Sequence, residues 1–141
     1  MADLERAIAI AVEAHRGQVD KAGVPYILHP LRVMLKLSTE EERIVGVLHD
    51  VVEDTPWTFE SLEREGFAPS VIDALRSVTR KDSESYEEFV LRASRNPIGR
   101  RVKLADLMDN SDPSRIENPT QADLQRMAKY ARAIDLLSSS H

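Results

Sequence analysis

Apolar residues recur at intervals of three and four along nearly the whole chain, and each run is cut where a helix has a physical reason to start or stop. Leu4, Ala7, Ile8, Ala11, Val12 and His15 form the first run. That spacing lines one side of a 3.6-residue helix and predicts a helix ending near Gly17. Gly17 to Pro25 holds two glycines and a proline and reads as a loop. Ile27 to Leu37 predicts a second helix with His29 and Pro30 in its first turn, where proline is tolerated. Thr39 with Glu42 makes a capping box for a third, carrying Ile44, Val45, Val47, Leu48, Val51 and Val52. Pro56 disfavours a helical Thr55 and ends it there.

The same punctuation continues to the end. Thr58 caps a short helix through Leu62, and Pro69 opens one carrying Val71, Ile72, Leu75 and Val78. Ser85 with Glu88 is a second capping box, ahead of Phe89, Val90 and Leu91. Pro97 starts a helix with Val102, Leu104, Leu107 and Met108. Ser111 to Pro119 reads as a loop. Thr120 with Asp123 caps a last helix through Leu137, whose stripe of Leu124, Met127, Tyr130, Ala128, Ala131, Ile134 and Leu137 reads as core. Ser138 to His141 reads as a frayed end. No repeat, long linker or charge block divides the chain, so residues 1–141 are expected to form a single all-α domain.

Composition narrows the chemistry. Cysteine is absent, which removes disulfides, zinc–thiolate sites and a thiol nucleophile. The formal charge is −5, which argues against broad binding to nucleic acid or anionic membranes. No stretch approaches the ~18 apolar residues of a membrane span, and the first residues lack the basic and apolar regions of a secretory signal. Cytoplasmic residence is the expectation, with a small anionic partner still allowed where a cation inverts the local field.

Three segments concentrate ionisable groups. Val45-Gly46-Val47-Leu48-His49-Asp50-Val51-Val52-Glu53-Asp54 ends a core-like helix in four consecutive-turn candidates. On an unbroken helix His49 would stack on Glu53 and Asp50 on Asp54. Three carboxylates this close repel one another, a conflict resolved by a cation, by raised pKa values, or by solvent if the stripe faces outward. In Lys103-Leu104-Ala105-Asp106-Leu107-Met108-Asp109-Asn110, Asp106 and Asn110 share a face near Lys103, or Asn110 serves as a C-cap. In Pro25-Tyr26-Ile27-Leu28-His29-Pro30, the histidine is either structural or a ligand. Taken together, His29, His49, Asp50 and Asp106 form a mixed nitrogen and oxygen set suited to a borderline divalent cation, with positions left for water and phosphate oxygen. Arg100, Arg101 and Lys103 make a basic cluster that is either solvated or turned to a phosphate.

These blocks resemble the HD-domain phosphohydrolases, specifically the hydrolase domain of RelA/SpoT-type enzymes and their small stand-alone relatives. The resemblance runs through His15-Arg16-Gly17-Gln18, Lys21 to Pro30, His49-Asp50-Val51-Val52-Glu53-Asp54-Thr55 and Val102-Lys103-Leu104-Ala105-Asp106, from the first helix to the last. It implies a helical bundle around a single metal, usually Mn²⁺, and removal of the 3′-pyrophosphate from the stringent-response alarmones ppGpp and pppGpp. It also implies His29, His49, Asp50 and Asp106 as metal ligands and Glu53 and Asp54 as the catalytic acidic pair. Lys21, Asn110, His15, Tyr26 and Lys103 are the implied substrate contacts.

Two departures bear on the substrate. Asp20 stands where the family presents a basic residue that packs over the guanine base, so restoring arginine there is expected to tighten ppGpp binding. Leu107-Met108-Asp109 gives a more acidic ending than the family pattern and is expected to touch substrate recognition. The alternatives are a phosphohydrolase acting on another phosphorylated nucleotide, or a non-catalytic nucleotide-sensing module.

Overall fold

The computed structural model describes residues 2–112 and 120–139. Among them run nine helices: α1 Leu4–Ala14, α2 Leu28–Leu35, α3 Glu40–Leu48, α4 Val51–Asp54, α5 Phe59–Glu65, α6 Pro69–Ser77, α7 Tyr86–Ser94, α8 Pro97–Asn110 and α9 Gln121–Ser139. The expected loop from Ser111 to Pro119 lies outside the described residues beyond residue 112, as do residues 140 and 141 of the end expected to fray from Ser138, whereas Ser138 and Ser139 still belong to α9. None of the helices is long and apolar enough to cross a membrane.

Capping chemistry sets most boundaries. Thr39 and Glu42 exchange side-chain and backbone bonds at the start of α3, and Ser85 and Glu88 do the same for α7. Thr58 pairs with Ser61 at α5, while Thr120 and Asp123 pair ahead of α9. Each such pair satisfies two of the orphan N–H groups at a helix start.

α3 is the central rod. It packs against α1, α2, α6 and α8, and Val45, Val47 and Leu48 are fully buried. The resulting core joins Ala7, Ile10, Val33, Leu62, Leu75 and Val102. α8 leaves this core to contact α7 and α9, where Val90, Leu107, Ala133 and Leu137 form a second apolar cluster. One helix therefore spans both clusters, and Asp106 sits on it between them.

Two expectations change. The third helix does not run unbroken to Thr55: it stops at Leu48, and α4 restarts at Val51. His49 Nδ1 donates to the Gly46 carbonyl at 2.6 Å, and Asp50 takes φ −101° and ψ −2°, which turns the chain out of register. On α9 the stripe is also displaced. Leu124, Ala128 and Ala131 are exposed, and burial falls on Ala133 and Leu137 with Met127, Tyr130 and Ile134 half-buried.

The start of α8 is pinned by a close approach. A Cβ at Gly99 would stand 2.0 Å from Ser77 Oγ and 3.3 Å from the Ala93 carbonyl oxygen. Gly99→Ala must therefore swing Ser77 Oγ off the Ala74 carbonyl or push α8 away from α6 and α7. We expect a loss of about 1–3 kcal/mol in urea unfolding, the usual cost of overpacking; an unchanged midpoint would contradict the packing described.

Candidate metal centre

α2, α3 and α8 deliver three side chains to one point. His29 lies in the first turn of α2, His49 at the end of α3 and Asp106 within α8. All three are buried, and one ligand atom from each lies within 4.8 Å of the others. Asp106 Oδ1 is 2.9 Å from His29 Nε2 and 3.3 Å from His49 Nε2. Asp50, turned inward by the break after α3, places Oδ2 3.1 Å from His49 Nε2 and 3.8 Å from His29 Nε2.

The outer nitrogens decide what the inner ones can do. His29 Nδ1 donates to Asp109 Oδ2 at 2.6 Å, and His49 Nδ1 donates to the Gly46 carbonyl. With the protons outside, both Nε2 lone pairs point at carboxylate oxygens. Lone pairs converging in a buried site demand either a proton or a cation. Burial opposes charge on His49, but Asp50 and Asp106 outweigh it and lift the imidazole well above its ordinary pKa. Burial would likewise raise Asp106, yet Lys103 and the two histidines hold it well below the carboxylate range. The donor set, two imidazoles and two carboxylates with a positive charge called for between them, fits a divalent cation.

Three of the expected substrate contacts brace this set. Tyr26 donates its hydroxyl to Asp50 Oδ2, and burial followed by the Asp50 charge pushes that phenol's pKa up. Lys103 Nζ donates to Asp106 Oδ2 at 2.9 Å. Asn110 Nδ2 donates to Asp106 Oδ1 at 3.2 Å, and Ser111, not Asn110, caps the helix. Of the basic cluster, Lys103 turns to the site, and Arg101 pairs with Glu42 at 2.8 Å.

Among the described residues, the Glu53 and Asp54 side chains make no hydrogen bond to the buried set, but both lie within reach of the Asp50 charge. Glu53 does not stack on His49. Its Oε1 accepts the Arg80 backbone N–H at 2.7 Å, and it lines a groove with Thr79, Arg80 and Lys81. Arg92 holds that loop by bonding Glu84, the Arg76 carbonyl and the Thr79 carbonyl. Desolvation, and then the neighbouring Asp50 and Asp54 charges, raise the Glu53 pKa against the Arg80 N–H. Asp54 is raised for the same reasons, burial first and Asp50 second. The Asp54 carbonyl accepts from Gln18 Nε2, and Gln18 Oε1 meets His15 Nδ1. His15 is buried and packs on the Tyr26 ring.

Beside the donors opens a cleft of about 420 Å³ lined by Lys21, Tyr26, His29, Asn110, Arg126 and Tyr130 among others. Arg126 and Tyr130 were not among the expected contacts. Their signal is an i,i+4 pair on one face of α9, which the apolar stripe obscures. Asp109 was missed in a different way. It is 3% exposed and bonded to His29 and Arg32, so the acidic charge near the end of α8 faces the interior of the protein.

Asp20 lines this cleft, as its place beside Lys21 suggests, and it also has a structural task. Its Oδ1 accepts the backbone N–H groups of Ala22 and Val24 at 2.9 and 3.0 Å, closing the turn that carries Lys21. A vacant stacking position would gain from arginine; a loop staple loses by it. Asp20→Arg should therefore raise KM for a nucleotide bound in this cleft, and a lowered KM in steady-state kinetics would mean that arginine gains more by stacking than the turn loses.

No protein-family model matches the chain. Over 120 residues it is 35% identical to the guanosine-3′,5′-bis(diphosphate) 3′-pyrophosphohydrolase of Aquifex aeolicus, covering 77% of this chain and 17% of that protein. Over 122 residues it is 35% identical to the bifunctional (p)ppGpp synthase/hydrolase SpoT of Escherichia coli K12, covering 76% of this chain and 17% of that protein. The chain thus spans 17% of the length of these curated relatives. Among solved structures, a metazoan orthologue of SpoT that hydrolyses ppGpp superposes with a TM-score of 0.80 at 27% identity, over 98% of this chain and 86% of that one.

Proposed function

Because this chain belongs to the RelA/SpoT-type HD hydrolases, we propose that it removes the 3′-pyrophosphate of ppGpp and pppGpp, leaving GDP or GTP and pyrophosphate. The observation that carries the proposal is the convergence of His29, His49, Asp50 and Asp106 at the wall of a cleft that also presents Lys21 and Arg126. The proposed ion is Mn²⁺. A divalent cation in this set supplies Lewis acidity, lowering the pKa of water and drawing charge from a phosphoryl oxygen.

The remaining work falls to side chains. Lys103 and Asn110 keep Asp106 ionised and oriented through bonds to its two oxygens. Tyr26 does the same for Asp50. Glu53, with Oε1 taken by the Arg80 N–H, accepts the proton of the attacking water on Oε2, and Asp54 orients that water. The raised pKa of Glu53 makes its carboxylate a better proton acceptor than an ordinary one. Water oxygen bonds to the phosphorus attached to O3′, the P–O3′ bond breaks with its electron pair on O3′, and O3′ takes up a proton from solvent as Glu53 releases the one it accepted. Lys21 and Arg126 hold the phosphate charge, and Tyr130 offers a flat face to the base.

A nucleotide panel tests the proposal. With Mn²⁺ present, ppGpp and pppGpp should give stoichiometric pyrophosphate and turn over faster than other phosphorylated nucleotides. Preference for a different nucleotide would redirect the substrate, and binding without turnover would leave a sensing module. The metal is checked separately. An ion at 100 times its Kd stabilises the fold by about 2.7 kcal/mol. Chelation should therefore lower Tm by roughly 5–10 °C, and identical melting curves with and without chelator would remove the metal centre.

A further inference from the structure

α2 and α8 are joined twice at the metal centre. His29 and Arg32 lie one turn apart on α2, and Asp106 and Asp109 one turn apart on α8. Asp106 faces His29 Nε2, whereas Asp109 takes the opposite edge of the ring, with Oδ2 2.6 Å from Nδ1. Arg32 grips that carboxylate with two N–H groups, Nε to Oδ1 at 2.8 Å and Nη2 to Oδ2 at 3.1 Å. The Asp109 side chain is 3% exposed and Arg32 34%, so the guanidinium closes the site from the solvent side. His49 has no such backing: its Nδ1 meets the neutral Gly46 carbonyl.

We propose that Asp109, clamped by Arg32, is a positioning residue that orients His29 and strengthens it as a metal ligand; this rests on the metal-centre reading above. An ionised acceptor makes the shorter and stronger bond to Nδ1–H. It fixes the proton on Nδ1, aims the Nε2 lone pair at Asp106 and Asp50, and raises the ring's donor strength. The two imidazoles are therefore unequal, with His29 the stronger donor. Arg32 has two tasks. It offsets the cost of an ionised carboxylate in the interior, and by holding both oxygens it keeps Asp109 from swinging round to become a ligand itself. Here lies the use of the acidic end of α8: its charge is spent on a histidine inside the protein.

The test measures metal binding. Free Mn²⁺ is read by electron paramagnetic resonance as each purified protein is titrated with Mn²⁺. Asp109→Asn keeps the shape but turns an amide N–H₂ towards either His29 or Arg32, so it is paired with Asp109→Asn/Arg32→Met, in which the amide oxygen is free to accept from His29 and no guanidinium is left unpaired. The double variant should melt closer to wild type than the single one. Both should bind Mn²⁺ about 10–100-fold more weakly, the usual cost of removing a ligand's hydrogen-bond partner. Wild-type affinity in the folded double variant would overturn the inference and leave the pair as a clamp between helices. Failure of wild-type protein to bind Mn²⁺ would overturn the metal centre and the inference with it.

Discussion

Asp106→Asn protein should retain its fold but lose both metal and turnover, with activity down roughly 10³-fold or more, the scale of removing a preorganised charge from a reacting centre. Asp106 is the point on which the site converges. Its Oδ1 stands 2.9 and 3.3 Å from the two imidazoles, and Lys103 and Asn110 bond to it from its own helix. Asparagine preserves volume and one acceptor but removes the charge that both histidines and Lys103 face. Alanine is the harsher variant. It leaves the Lys103 ammonium, 12% exposed, without its partner, and breaking a buried pair in this way costs about 3–5 kcal/mol. Metal content by elemental analysis, thermal melting and kcat together separate the two losses. Asp106→Asn protein with full metal and full activity would exclude Asp106 as a ligand.

Glu53→Gln should do the opposite: metal and Tm stay, and kcat falls by about 10²–10⁴, the range for a positioned proton-transfer group. The amide oxygen can still accept the Arg80 N–H that Glu53 Oε1 accepts, so the loop from Thr79 keeps its anchor. Only the oxygen proposed to accept the proton is lost. A group acting in the transition state alone lowers kcat with little change in KM. Normal kcat in metal-replete Glu53→Gln protein would assign the proton to another acceptor, with Asp54 next in place.

The helical frame was readable because its signals are local. Capping boxes at Thr39 and Ser85 and the prolines at positions 69 and 97 act within one turn, and the helices begin where those residues stand. The break after Leu48 was not readable. It depends on His49 bonding back to Gly46 and on Asp50 being drawn to Tyr26 and the imidazoles, contacts that propensity does not encode. His29, His49, Asp50 and Asp106 stood out as polar groups in apolar surroundings, but their convergence is tertiary. Asp109 shows the limit best. A carboxylate at the end of a helix looks like surface charge until α2 brings His29 and Arg32 against it, 80 and 77 residues away in sequence. Arg126 and Tyr130 reach the cleft only because α9 folds back on α8.

The most direct measurement of the central claim is hydrolysis of ppGpp in ¹⁸O-labelled water, with products followed by mass spectrometry in the presence of Mn²⁺ and after its removal by chelation. The account predicts GDP and pyrophosphate in equal amounts, the heavy oxygen in pyrophosphate because water attacks the phosphorus bonded to O3′, and loss of turnover on chelation that Mn²⁺ restores. Release of inorganic phosphate, label in GDP, or undiminished turnover by metal-free protein would contradict it.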